Sequence, residues 1–388
     1  MRRRTLLATA PILAAATAVP AQAALNDTLR PYLSRYKFPA LAAAVVHKGD
    51  IIAAGAVGKR RLDQDIQVTI NDRFHIGSDT KAMTSLLAGM MVEAGKLRWN
   101  STVGEAYPEL ADTMDAGLKG VTLDQLLSHT SGIPSDTDTS IKLFWDAYMQ
   151  DGVNLDGMRY WIVRQIAGKP LGSKPGAEFH YANLGFILAG NMIERVGGAT
   201  FEELVTQRIF DPLRLSTAGF GPQATVGRTD ATFGHAQMDD GPLKPMLPGP
   251  NGDAPAVIGP AGTAHLSILD FARWAGWQVA EGRRAPALVK PETMRKLHTP
   301  MIEIGTIPGS GPGRAMSGGY ALGWGVVKVP FRPTPVLTHN GSNSMNFAMI
   351  MLDPRVDVGV VIATNCATKD ADPACLALAE ELFGRFGG

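Results

Sequence analysis

Apolar residues along the chain form short runs spaced for strands at its two ends and longer runs spaced for helices between them. Residues 41–58, LAAAVVHKGDIIAAGAVG, are two apolar runs split by Lys48-Gly49-Asp50, the pattern of a β-hairpin. Toward the other end, Tyr320 to Val329, Pro335 to His339, Phe347 to Leu352 and Val356 to Ala363 are again short, β-rich and separated by Gly, Pro or Asp, and Asp372 to Phe386 reads as a closing helix. Helical spacing marks 79–94, 122–128, 158–167, 184–196, 200–210 and 266–279. Strands at both termini with helices between them imply one sheet completed by distant parts of the chain and carrying a helical subdomain. Residues 234–262 and 299–319 are rich in Gly and Pro and fit neither pattern; loops of that length in a compact domain are expected to wall a site, the alternative being plain surface loop.

Composition narrows the classes. Hydrophobic residues make up 45% of the 388 and charged residues 19%, an ordinary globular balance. Lys plus Arg number 37 against 36 Asp plus Glu, so no net field exists to draw in nucleic acid or an anionic membrane, and a small-molecule partner is expected. Met1-Arg2-Arg3-Arg4, an apolar run from Thr5 to Val19 and Ala21-Gln22-Ala23 form the three regions of a signal peptide. Residues 1–23 are therefore expected to be cleaved and the protein exported to the periplasm, by the general or the twin-arginine route, leaving 24–388 as one domain. The apolar run is shorter than the ~20 residues needed to span a bilayer, and it carries Pro11. The two cysteines, Cys366 and Cys375, either pair or remain two buried thiols. The eight His residues are scattered with no metal-binding spacing, so neither metal nor cofactor is expected.

The chemistry concentrates at Ser78. Phe74-His75-Ile76-Gly77-Ser78-Asp79-Thr80-Lys81 leads into AMTSLLAGMMVEAG, apolar nearly all round and hence a buried helix. Ser78 stands at that helix's start and Lys81 three residues on, one turn away on the same face. A cation in the first turn of a buried helix is opposed by the helix dipole and by desolvation, and both lower a lysine pKa. A lysine able to be neutral near pH 7 can take a proton from a serine. S-x-x-K also occurs at Ser34-Arg35-Tyr36-Lys37, in a polar context with no buried helix behind it, and that copy reads as accidental.

Tyr181-Ala182-Asn183 is the single Y-x-N in the chain and precedes an apolar helical run, while His339-Asn340-Gly341 lies between two β-runs. In this order, S-x-x-K, Y-x-N and a C-terminal H-x-G, the elements resemble the serine β-lactamase and penicillin-binding-protein-like superfamily, in its class C-related branch of esterases and D-amino-acid peptidases. Leu126-Leu127-Ser128-His129-Thr130-Ser131-Gly132, Pro175-Gly176, Pro260-Ala261-Gly262 and Leu322-Gly323-Trp324-Gly325 match as well, so the likeness runs over roughly residues 30 to 385.

The resemblance implies an α+β fold, an α/β/α sandwich whose antiparallel sheet is built from both termini and flanked by helices, with an inserted all-helical subdomain at about 97–315. It implies an acyl-enzyme hydrolase with Ser78 as nucleophile, Lys81 and Tyr181 as the proton-transfer pair in unassigned order, Asn183, His339 and Gly341 as substrate or orienting residues, and the backbone N–H groups of Ser78 and Ser342 as the oxyanion hole. The family's β-lactamases usually carry K-T-G where this chain has His339-Asn340-Gly341. A histidine, with a usual pKa near ~6.5, supplies no fixed charge for a substrate carboxylate. A small ester or a D-aminoacyl amide or peptide is therefore the expected substrate, ahead of a β-lactam. A binding module without turnover would have lost Ser, Lys or Tyr from these elements, and a general α/β-hydrolase would carry G-x-S-x-G, which none of the 15 serines satisfies.

Overall fold

The computed structural model describes residues 23–387 apart from 152, 239–240 and 307–316. The expected signal peptide, except for Ala23, and part of the 299–319 loop lie outside the described residues. No described helix is long and apolar enough to cross a membrane.

The main sheet is assembled from both ends of the chain. Its strands are β1 (Ala23–Ala24), β2 (Ala40–His47), β3 (Asp50–Gly58), β4 (Ile302–Thr306), β5 (Ser317–Tyr320), β6 (Gly325–Lys328), β7 (Val336–Ser342), β8 (Phe347–Asp353) and β9 (Val358–Thr364). Their order is β1-β3-β2-β9-β8-β7-β6-β5-β4, antiparallel throughout except for the short β1 beside β3. The β2–β3 hairpin turns at Lys48 and Gly49, with φ of 50° and 92°, the consecutive left-handed pair whose twist suits a two-residue hairpin. β2, β8 and β9 read as unbroken apolar runs because both faces of the sheet are covered. Alternate residues divide between two cores. Ala42, Ala44, Ile350, Leu352 and Val361 pack with the inner helices, among them α1 (Thr80–Glu93), α2 (Asn183–Gly197) and α3 (Ile268–Val279). Leu41, Ala43, Val45, Met349, Met351 and Ile362 pack with the outer helices Asn26–Tyr36 and Ala371–Phe386.

Several elements differ from the sequence reading. The run 320–329 is not one strand: β5 ends at Tyr320, the chain turns through Gly323 at φ 75°, with Ala321 N donating to Trp324 O at 2.7 Å, and β6 starts at Gly325. Helices Asn26–Tyr36, Asp138–Tyr148 and Pro291–His298 lie outside the expected helical runs; the first and last are polar, and the first also carries Pro31. Between 97 and 315 the chain also holds short strands. Ala264–Ser267 pairs with Arg73–His75 and Gly219–Phe220, and α3 lies against the main sheet. The 234–262 segment folds into a small hairpin, two single turns and the short helix Gly259–Gly262. Cys366 and Cys375 are both free and buried.

A buried charge cluster ties the inner helices together. Arg159, fully buried, bonds Glu194 on α2 and Glu202 on the next helix, and donates to the carbonyls of Val257 at 3.0 Å and Ala256 at 3.1 Å. Removing one member of such a cluster strands the opposite charge in the interior. Arg159→Leu is expected to cost about 3–5 kcal/mol of stability, measured as a lowered midpoint in urea denaturation.

Candidate active site

The chain reaches Ser78 from the small sheet. Ile76 N donates to Ala264 O at 2.9 Å, Gly77 takes φ 51°, and a single 3₁₀ turn, Gly77–Asp79, passes into α1. Thr80 holds the turn: its hydroxyl donates to Gly77 O at 2.7 Å and accepts from Ala264 N at 3.1 Å. Ser78 remains partly exposed where α1 begins, while Lys81 is fully buried.

Lys81 Nζ has three oxygen partners: Ser78 Oγ at 2.9 Å, Asn183 Oδ1 at 2.7 Å and Ala261 O at 2.7 Å. None is a carboxylate. Burial lowers its pKa to about 7, with the charges of Asp136 and Asp79 opposing the fall. A neutral amine has two donors and one lone pair; Asn183 Oδ1 and Ala261 O can use the donors, and the lone pair is left for the Ser78 hydroxyl. The Tyr181 phenol hydrogen-bonds Ser78, and its ring lies under Lys81 Nζ, 4.7 Å from the centroid. Burial raises the Tyr181 pKa well above the usual phenol value, the Ser78 bond only partly offsetting it. Asn183 opens α2, and its amide orientation follows from its partners: Oδ1 faces a lysine, and Nδ2 donates to Asp136 Oδ2 at 2.6 Å.

β7 forms the opposite wall. A β-carbon at Gly341 would stand 1.7 Å from Ile76 O and 2.8 Å from Ser78 N, and one at Gly77 would stand 2.2 Å from Ser342 N. Only two glycines allow the backbones that carry Ser78 N and Ser342 N to approach so closely. His339 is buried and neutral. Tyr320 Oη donates to its Nε2 at 2.9 Å and its Nδ1 donates to Asn340 O at 2.9 Å, while burial, then Lys81, lower its pKa to about 3. Both ring nitrogens are committed within the protein, which makes His339 a support of the wall, the orienting side of the role expected of it.

The structure thus brings together Ser78, Lys81, Tyr181, Asn183, Gly341 and Ser342. It also adds residues that the sequence reading left without roles. His129, at φ 59°, accepts Ala182 N at its Nδ1 at 3.1 Å, and its carbonyl accepts His180 N at 2.8 Å. Its ring lies 4.2 Å from that of Tyr181. The L-L-S-H-T-S-G match was the visible signal, since this segment grips the loop that delivers Tyr181. Asp136 lies in the polar run Ser135-Asp136-Thr137-Asp138-Thr139-Ser140, where nothing local separates it from a solvated loop. Asp79 is buried, its carboxyl oxygens have no hydrogen-bond partner among the described residues, and one of them sits 3.7 Å from His339 Nδ1; burial pushes this carboxyl well above the usual range, with Lys81 opposing.

A family model described as Beta-lactamase matches residues 25–382. "Protein flp" of Staphylococcus aureus strain MW2 is 23% identical over 344 residues, which cover 89% of this chain and 63% of that protein. "Unguisins hydrolase ungD" of Aspergillus violaceofuscus is 27% identical over 376 residues, covering 89% of this chain and 61% of the relative. The chain thus spans about three fifths of the length of these two relatives. Among solved structures, the D-amino acid amidase of Ochrobactrum anthropi SV3, complexed with L-phenylalanine amide, superposes with a TM-score of 0.71 at 15% identity, covering 93% of this chain and 99% of that one.

The backbone approach at Gly341 leaves no room for a side chain. Gly341→Ala is expected to destabilise the protein by about 3 kcal/mol, the upper end of overpacking costs, because the atoms it meets are rigid backbone. The fall in melting temperature measures this.

Proposed function

As the chain belongs to the Beta-lactamase family, a family of hydrolases, we propose that it cleaves a small carboxylic ester or a D-aminoacyl amide or peptide through an acyl-enzyme on Ser78. The observation that carries this reading is the buried Lys81 amine, 2.9 Å from Ser78 Oγ and with a pKa brought to about 7. Near neutral pH a large fraction of Lys81 is unprotonated and able to receive the Ser78 proton as Oγ bonds to the substrate carbonyl carbon. Tyr181, whose raised pKa keeps its phenol protonated, is poorly suited as the resting base. It suits the other role, giving its proton to the departing oxygen or nitrogen and regaining one from the Lys81 ammonium. The carbonyl oxygen, negative in the tetrahedral intermediate, is received by Ser78 N–H and Ser342 N–H. Water then attacks the acyl group, its proton passing to the same base, and Ser78 is restored.

The wall at His339 supports this choice of substrate class. A lysine there would offer a permanent cation to a substrate carboxylate, whereas this imidazole is neutral, buried and fully engaged. That favours ester and amide substrates whose recognition does not depend on such a charge. The names of the amidase and of the unguisins hydrolase lend support, since both describe hydrolysis.

A chromogenic short-chain ester and a D-aminoacyl anilide are expected to be turned over, and a chromogenic cephalosporin to be left intact. Intact-mass analysis should detect an acyl adduct that Ser78→Ala abolishes. An adduct persisting in that variant, or no turnover and no fluorophosphonate labelling of the wild type, contradicts the reading. Labelling of Ser78 should rise with pH through about 7 as Lys81 loses its proton. Asp136→Asn removes the stronger of the two charges that favour the ammonium, so this limb should move to lower pH in a labelling-rate profile.

A further inference from the structure

Ser78 and Ser342 lie on different elements, one at the head of α1 and one at the end of β7, with no covalent link near either. Their N–H groups can serve one oxyanion only if the two backbones keep a fixed separation. The contact of Gly77 with Gly341 sets the lower limit of that separation. A second set of residues, unused by the chemistry described above, is arranged to set the upper one.

Asp253 belongs to the 234–262 segment and is buried. Its Oδ1 accepts Asn343 Nδ2 at 2.8 Å and Ala254 N at 2.7 Å, and stands 3.0 Å from His75 Nε2. Asn343 directly follows Ser342. Its orientation is fixed because its Oδ1 accepts Met345 N at 3.2 Å and Asn346 Nδ2 at 3.0 Å, which leaves Nδ2 to face the carboxylate. Asn346 Oδ1 is held in turn by Gln223 Nε2 at 2.8 Å, and both side chains are buried. His75 lies on the other side, fully buried, with its Nδ1 accepting Gly77 N at 3.0 Å. That bond puts the ring proton on Nε2, the atom that faces Asp253. One carboxylate thus bonds the residue after Ser342 and stands in close polar contact with His75, which holds the residue before Ser78. Burial would raise the Asp253 pKa, but His75 and the bonds from Asn343 and Ala254 outweigh it and hold the carboxyl below its ordinary value, so the charge that makes these links strong is present.

We propose that Asp253 is a positioning residue that holds the two N–H groups of the oxyanion hole in register, through Asn343 on one side and His75 on the other. It touches neither substrate nor the reacting atoms. Its loss loosens a geometry that matters in the transition state and leaves ground-state binding in place. A misplacement of about 1 Å at such a site can cost about 10²-fold in rate.

The proposal rests on the acyl-enzyme reading, and the test separates the two. Asp253→Asn keeps the shape and removes the charge, while Asn343→Ala cuts one link at a half-buried turn and serves where the first variant fails to fold. Competent sites are counted by fluorophosphonate titration, and kcat for the chromogenic ester is expressed per labelled site. Each variant is expected to lose about 10- to 10²-fold in kcat per labelled site with KM within about twofold of wild type, and the double variant to lose little more than the worse single one. A purely structural role would lower the number of labelled sites and leave kcat per site unchanged, and that result overturns the positioning role while the acyl-enzyme reading stands. Wild-type protein that neither turns over nor labels overturns both.

Discussion

The site depends on an amine taken out of water without a carboxylate in contact with it. Lys81 is fully buried, its three partners are neutral oxygens, and the two carboxyl groups that favour its charge, Asp136 and Asp79, act from outside hydrogen-bond range. A direct ion pair would have kept the ammonium protonated, and full solvation would have done the same. The intermediate condition demands that three separate pieces of chain meet at one nitrogen: the start of α1, the start of α2 and the carbonyl of Ala261. Much of the surrounding packing follows from that demand. Pro260 wedges against Gly190, where a β-carbon would stand 2.3 Å from the ring, and Thr84 donates to the Pro260 carbonyl at 2.6 Å. These contacts seat the Ala261 carbonyl where the amine needs it.

Much of this was legible in the sequence, for physical reasons that differ from element to element. The strands around 41–58 and 347–363 were visible because burial on both faces leaves unbroken apolar runs between turn residues. The helix behind Ser78 was visible because it is apolar on every side. Ser78 and Lys81 share a face by helical arithmetic alone, whereas Tyr181, Asn183, Gly341 and Ser342 were placed by resemblance, since no periodicity links residues so far apart. Asp136, Tyr320, His129 and Asp253 were missed as participants because each acts across a tertiary contact. The 320–329 run was misjudged because the turn at Gly323 is too short to interrupt an apolar pattern.

His339 shows how one substitution reshapes a wall. The imidazole is packed against Tyr320, which is itself near the rings of His129 and Phe179, so the position that could have carried a cation is instead part of an aromatic cluster next to Tyr181. The cluster stiffens the phenol's surroundings and excludes water from one side of it. Burial chiefly lowers the pKa of His129 and His339, and their neutrality keeps further positive charge away from Lys81. Wall and base are therefore electrostatically coupled, and a change at position 339 acts on the amine as well as on the substrate.

The sheet's register has a consequence for how the molecule comes into being. Leu41 pairs with Thr364 and His47 with Val358, so the first hairpin finds its neighbour only after nearly the entire chain has been synthesised. Pairings of such long sequence separation form slowly, because a very large loop must close before any contact compensates for it. Until β9 is in place, one edge of β2 has no strand to pair with, and a nascent chain carries it as an open sheet edge. Closure of the sheet is in this sense a terminal event, and a chain still on the ribosome lacks the strand that joins its two ends.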